Sequence, residues 1–209
     1  MTTDTTDTPS EATTVVRACL VVDCQPTFCE DGELPVAGGN DVCTRGAAFL
    51  AAHDGDYDLV MTSQDYHVDP GDHFSATPDF VDSWPPHGVA GTPNAELHPA
   101  LANARIDVRI LKGQHEAAYS LFDGATTDGT AAVDVLRAAG VTDVDVFGIA
   151  ESHCVFATVL AALRHGFRVR VLSDLTVPVT FEMGHAARHT MLGAGATYLP
   201  STAAFPVPA

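Results

Sequence analysis

Lysine is almost missing from this chain. Lys112 is its single example, and the other nine of the ten basic residues are arginine. Against them stand 27 Asp and Glu, for a formal charge of −17. A field of that sign repels nucleic acid and anionic lipid surfaces, so neither is an expected partner. Asp supplies 20 of the 27 acids. That bias fits adaptation to high internal salt, where carboxylates keep a surface hydrated, or an acidic drift in genome composition. Long apolar runs are also lacking: none approaches the ~20 residues of a membrane span. The first 14 residues, MTTDTTDTPSEATT, have neither the basic start nor the apolar core of a secretory signal. They read as an acidic disordered tail, and the location as cytoplasmic. No C-x-x-C pair occurs among Cys19, Cys24, Cys29, Cys43 and Cys154. This removes the zinc-ribbon and thioredoxin readings. An odd count in a reducing compartment also argues against a disulfide framework. Cys19 reads as a small core residue; Cys24, Cys29 and Cys43 carry no spacing signature.

What is present is an alternation. Short, apolar, β-branched runs occur at Val15–Asp23, Leu59–Ser63, Ile106–Leu111, Val144–Ile149, Arg168–Ser173 and Ala196–Leu199. Such composition suits strands covered on both faces. Helix-like segments lie between them, at Asn40–Ala52, Thr130–Ala139, Ser152–His165 and Phe181–Leu192. Gly140 and Gly166 act as helix stops. The pattern predicts one α/β domain over residues 15–209, with three α/β/α layers and a six-stranded, doubly wound parallel sheet. The stretch from Gln64 to Arg105 breaks the rhythm with PGDH, WPPHG and AGTP. Loops beyond ~12–15 residues are uncommon in compact domains and are often functional. In open parallel sheets, ligands bind beyond the carboxyl ends of the strands. Asp23, Asp65, Lys112 and Glu151–Cys154 fall at or just past such ends.

These residues carry chemistry. Cys154 lies near the start of the helix in GIAESHCVFATVLAALRHG, where free N–H groups favour thiolate, the nucleophilic form. A buried structural thiol is the common alternative. Lys112 places a compact ammonium just after a strand, where a point charge could serve a thiolate or carboxylate. Asp23 closes the strand CLVVD and needs a partner if it is desolvated; an ion pair or a loop cap would also satisfy it. Together the three supply base, cation and nucleophile. Asp65, His67 and His73 occur within nine residues, and His87 follows in SWPPHG. One carboxylate with several imidazoles suits Zn, Fe or Mn.

The motifs VVDCQPTFCEDGELPVAGG, TSQDYHVDPGDHFSATPDF, SWPPHGVAGTPNAELHP, LKGQHEAAYS and FGIAESHCV, in this order and spacing, resemble nicotinamidases (pyrazinamidases). That group lies within the isochorismatase-like cysteine hydrolases, and the likeness to the actinobacterial type is especially close. It runs from about Ala18 to Leu199. It implies metal-dependent hydrolysis of nicotinamide to nicotinate and ammonia through a cysteine thioester, in NAD salvage. The implied triad is Asp23, Lys112 and Cys154, and the implied ligands of one divalent metal ion are Asp65, His67, His87 and His73. The substrate would be a small pyridine carboxamide held between Phe28 and Trp84, with Tyr119 and His153 lining the pocket and Gln25 near the amide. A cis peptide at Ile149–Ala150 would aim the Ala150 N–H, beside that of Cys154, into an oxyanion hole. The chain could act as a monomer or a homo-oligomer.

Three places depart from the common pattern. Pro26-Thr27 stands in place of Asn-Asp, Glu151-Ser152 in place of Thr-Asp, and Gly88 in place of the cysteine after W-P-x-H. Four other readings stay open at this point: a carbamoyl or ureido amidase of the same fold, an isochorismatase proper, a non-catalytic metal-binding scaffold, and a redox sensor pairing Cys24 with Cys154.

Overall fold

The computed structural model describes residues 14–205; the acidic segment read as a tail lies, up to residue 13, outside them. Six parallel strands form one sheet: β1 (Arg17–Val22), β2 (Leu59–Asp65), β3 (Val108–Lys112), β4 (Asp143–Ile149), β5 (Arg168–Val177) and β6 (Thr197–Leu199). Their spatial order is β3-β2-β1-β4-β5-β6. The chain therefore winds outward from β1 in one direction and, from β4, in the other. The boundary between β1 and β4 is the switch point at which such sheets open a crevice.

The helices are α1 (Gly39–Ala52), α2 (Ala132–Ala138), α3 (Cys154–Arg164) and α4 (Phe181–Gly193). Val42, Phe49 and Leu50 of α1 pack with Cys19, Val21 and Phe147 on one face of the sheet. Leu136 of α2, Val155 and Val159 of α3, and Met191 of α4 pack with Leu20, Val22 and Val146 on the other. Alternate residues of β1 thus serve opposite cores, and both faces are covered, as its unbroken apolar run requires. Gly140 and Gly166 close α2 and α3 with left-handed φ of 70° and 91°.

Two expected boundaries shift. β5 runs on to Val177 after a register shift against β4 between Val146 and Gly148. α3 starts at Cys154, with His153 as its N-cap, rather than at Ser152. Cys154 is therefore the first helical residue. The Pro/Gly-rich stretch is folded back on itself: parallel bridges join His67 to Val89 and Phe74 to Trp84, and three short 3-10 turns occur within it. This folding gathers His67, His73 and His87 above the carboxyl ends of β2 and β3.

Candidate active site

β1 runs into Asp23, whose φ of 48° lies in a region few non-glycine residues occupy. That turn directs the carboxylate across the switch point. Ser63 Oγ donates to Asp23 Oδ1 at 2.7 Å. Lys112, the last residue of β3, is 1% exposed and brings Nζ to 2.9 Å from Asp23 Oδ2. The contact is close enough for an ion pair, yet it misses the angle of a hydrogen bond, which leaves Oδ2 with an open lone pair. Nζ also bonds to Asp65 Oδ1, donates to Ala118 O at 3.3 Å and reaches Cys154 Sγ at 3.8 Å. One ammonium thus faces two carboxylates and a thiol.

Burial dominates the titration of this group. It raises the Asp23 carboxyl, against the pull of Lys112. It pushes the Cys154 thiol well up, again against Lys112, with the Asp23 and Asp65 charges adding to the rise. Burial opposes charge on Lys112 too, but Asp23 and Asp65 overrule it and hold the ammonium protonated. At rest the site therefore carries a thiol beside a carboxylate of enhanced basicity. Desolvation thus works against the expected bias toward thiolate, and Lys112 works for it.

Asp65, at the end of β2, is buried; the Lys112 charge, with the imidazoles of His67 and His87 beside it, overcomes that burial and holds it well below the usual carboxylate range. His67 Nδ1 lies 2.5 Å from Gly113 O and His87 Nδ1 2.8 Å from Pro85 O. Both rings therefore carry their proton on Nδ1 and present a bare Nε2. Those Nε2 atoms sit 3.6 Å and 3.5 Å from Asp65 Oδ2. The donors of a four-coordinate ion, each at ~2.0–2.2 Å, stand about 3.3–3.6 Å apart. His67 Nε2 and His73 Nδ1 are buried without any hydrogen-bond partner, and the three imidazoles offer nitrogens within 4.8 Å of one another. Burial, with the neighbouring rings of His67 and His87, lowers His73 to about 4, its neutral ligand form. The donor set fits a divalent metal ion. Glycines make room for it: a Cβ at Gly113 would meet the His67 ring at 2.5 Å, and one at Gly88 would meet Asp65 Cβ at 2.9 Å.

Between this cluster and Cys154 lies a cavity of about 400 Å³, lined by Phe28, His73, Trp84, His87, Tyr119, Ala150, His153 and Cys154 among others. Trp84 Nε1 donates to Tyr119 Oη at 3.0 Å, and its ring meets His153 edge-on at 5.7 Å. The Ile149–Ala150 peptide is cis. Neither the Ala150 nor the Cys154 N–H has a backbone acceptor among the described residues.

Residues 17–203 match the family described as the Isochorismatase domain. The chain belongs to the isochorismatase family. Within it, a Mycobacterium tuberculosis protein named nicotinamidase/pyrazinamidase is 46% identical over 176 residues, covering 84% of this chain and 94% of that one. The crystal structure of a Pyrococcus horikoshii pyrazinamidase in complex with zinc superposes with a TM-score of 0.75 at 31% identity, over 88% and 98% of the two chains. A structure from L. infantum in complex with nicotinate gives 0.78 at 29% identity, over 90% and 94%.

As an isochorismatase-family domain, the chain places two candidate residues differently from expectation. Gln25 does not reach the cavity. Its amide accepts from Asp65 N at 2.8 Å and donates to Asp65 O and Ala95 O at 3.0 Å and 2.7 Å, so it positions Asp65 instead of touching substrate. Ile149 is fully buried in the α1-side core and contributes only the peptide that presents Ala150. The Cys24–Cys154 pairing fails as well. Cys24 packs on the α1 side of the sheet and Cys154 on the other.

The departures from the common pattern also resolve in space. Thr27 Oγ1 accepts from Gly88 N at 3.0 Å and donates to Glu33 at 2.7 Å. Two departures, at Thr27 and Gly88, are thus one contact. Glu151 points away from the cavity to Arg188 at 2.9 Å and Tyr198 at 3.1 Å. Ser63 and Ala118 escaped the sequence reading, which met Thr27 only as a departure; Ser63 follows from the register of β2, since it pairs with Val22 next to Asp23.

Proposed function

We propose that the chain hydrolyses nicotinamide and similar pyridine carboxamides to the carboxylate and ammonia through a thioester on Cys154. The observation that carries this is Lys112 Nζ, 2.9 Å from Asp23 and 3.8 Å from Cys154 Sγ and bonded also to Asp65, beside a cavity lined by Cys154, Asp65, His73 and His87. The names of the relatives support the substrate. A divalent ion on those four residues, for which zinc, iron and manganese all suit the donors, would supply a Lewis-acidic anchor for the ring nitrogen.

The chain's own residues do the rest. Phe28 and Trp84 offer apolar faces to a flat heteroaromatic ring. With the substrate seated, Asp23 Oδ2 takes the Cys154 proton, and the sulfur attacks the amide carbon. Lys112 balances the charge as it moves from carboxylate to sulfur to oxygen. The N–H groups of Ala150 and Cys154 receive the oxyanion; losing one such donor costs about 10²–10³ in rate. Asp23 returns its proton to the leaving ammonia, then draws one from the water that cleaves the thioester.

Ammonia release from nicotinamide, before and after chelation and metal add-back, tests the reading. Release should fall on chelation and return with metal. Cys154→Ala should hold metal normally and lose turnover. Substantial turnover in that variant would make a different group the nucleophile and sink the mechanism.

A further inference from the structure

Two of the four cysteines outside the catalytic group meet behind the catalytic loop, with a third buried nearby. Cys29 Sγ and Cys43 Sγ are 3.8 Å apart, and with a ring nitrogen of His98 their donor atoms all lie within 4.8 Å of one another. Cys24 is fully buried in the same core, and its thiol helps to push that of Cys43 up. The residues come from three segments. Cys24 and Cys29 flank the 3-10 turn after β1, Cys43 is in α1, and His98 is in the long loop, where its N–H donates to Cys24 O at 2.8 Å. Nothing in the proposed reaction uses any of them.

The spacing is that of a metal-thiolate edge. Two sulfurs at ~2.3 Å on one tetrahedral ion stand about 3.8 Å apart. Packed thiols can reach the same separation; the imidazole nitrogen beside them is what completes a three-donor set. We propose that Cys29, Cys43 and His98 form a second metal site, of three protein donors, for a thiophilic ion such as zinc or cadmium. Soft thiolate sites select such ions over magnesium, calcium or manganese. Contact with Cys43 and burial push the Cys29 thiol up, and contact with Cys24 and burial push up that of Cys43, so binding releases a proton from each to solvent. His98 Nε2 lies 3.0 Å from Asn40 Oδ1, and Nδ1 accepts from Ala100 N at 3.2 Å; ligation exchanges one of these bonds. His98 and Asn40 are only half-buried, which leaves an entry path. A filled site would tie α1 and the long loop to the segment that bears Asp23 and Phe28.

Cadmium is the probe, because its sulfur-to-metal charge-transfer absorption ignores the Asp65/His67/His73/His87 set, which has no sulfur. The full-length protein, kept reduced, should develop this band to one equivalent. Cys154→Ala should keep it; Cys29→Ala and Cys43→Ala should lose it. His98→Gln should weaken binding at least about tenfold. Should Cys43→Ala fold poorly by circular dichroism, Cys43→Ser serves with little change of volume. The reading is independent of amide hydrolysis, so its failure would leave the proposed reaction standing. No band in the parent chain, or a full band in both cysteine variants, overturns the second site. So does a parent chain that leaves cadmium unbound when reduced and forms a Cys29–Cys43 disulfide in air, which would make the cluster a redox pair.

Discussion

Replacing Lys112 with methionine keeps most of its length and removes its charge. At 2.9 Å from Asp23 and an effective dielectric of about 20, the attraction lost is about 6 kcal/mol. Part of that is returned, because the ammonium no longer has to be desolvated. What remains is two buried carboxylates, Asp23 and Asp65, facing each other without a cation. Removing one partner of a buried pair costs about 3–5 kcal/mol, and metal-free Lys112→Met should lose that much in urea unfolding. At roughly 2–4 °C per kcal/mol for a domain of this size, the melting midpoint should fall by about 6–20 °C. Adding Asp23→Asn to Lys112→Met removes one stranded charge and should recover part of the loss, giving a coupling within the ~0.5–3 kcal/mol range of neighbouring residues. Adding a divalent ion, which gives Asp65 a new cation, should recover more. A loss under about 1 kcal/mol, the range of exposed pairs, or strict additivity in the double variant, would refute the shared-cation account.

Gly113→Ala puts a Cβ 2.5 Å from the His67 ring at a φ of 72°, so metal affinity should drop about 10–100-fold in chelator competition, as for other disturbed supports of a ligating histidine; unchanged affinity would show that the ring is not held by this close packing. Asp23 must be ionised to take the Cys154 proton, and burial raises its carboxyl. Lowering the pH protonates it early, so the acid limb of kcat/KM should be centred above the ordinary value of about 4, and a limb at or below it would argue against Asp23 as base. With a formal charge of −17, self-repulsion should weaken as the Debye length falls from ~10 Å at 0.1 M to ~3 Å at 1 M salt. The unfolding midpoint should rise with KCl over that range, and a flat midpoint would leave the acidic surface as composition alone.

The strands and helices were legible because burial on both faces leaves an unbroken apolar run, as in CLVV of β1 or the run from Val144 to Ile149. Ends were less legible. Nothing in Ser152 and His153 marks them as a turn before α3, and the extension of β5 beyond Ser173 depends on a register shift against β4 that no single-strand pattern encodes. For the site, Lys112 stood out by its rarity and Asp23 by closing an apolar strand. Gln25, which only the resemblance placed near the amide, spends its side chain on the backbone of Asp65 and Ala95, a pairing that spacing along the chain does not encode. Cys24, Cys29 and Cys43 were silent for a different reason: their meeting depends on how α1 packs against the turn after β1, and spacing along the chain does not contain it.

Lys112 belongs to two neighbourhoods at once, one that handles protons and one built for a cation. Thermodynamic reciprocity then binds them. A divalent ion that draws Asp65 toward itself frees the ammonium to favour the ionised form of Asp23. By the same factor, a proton placed on Asp23 turns the ammonium back toward Asp65 and alters the hold on the ion. On the proposed function, metal occupancy and proton uptake at this end of the sheet would be one equilibrium read through two ligands, and a titration of either in isolation would measure both.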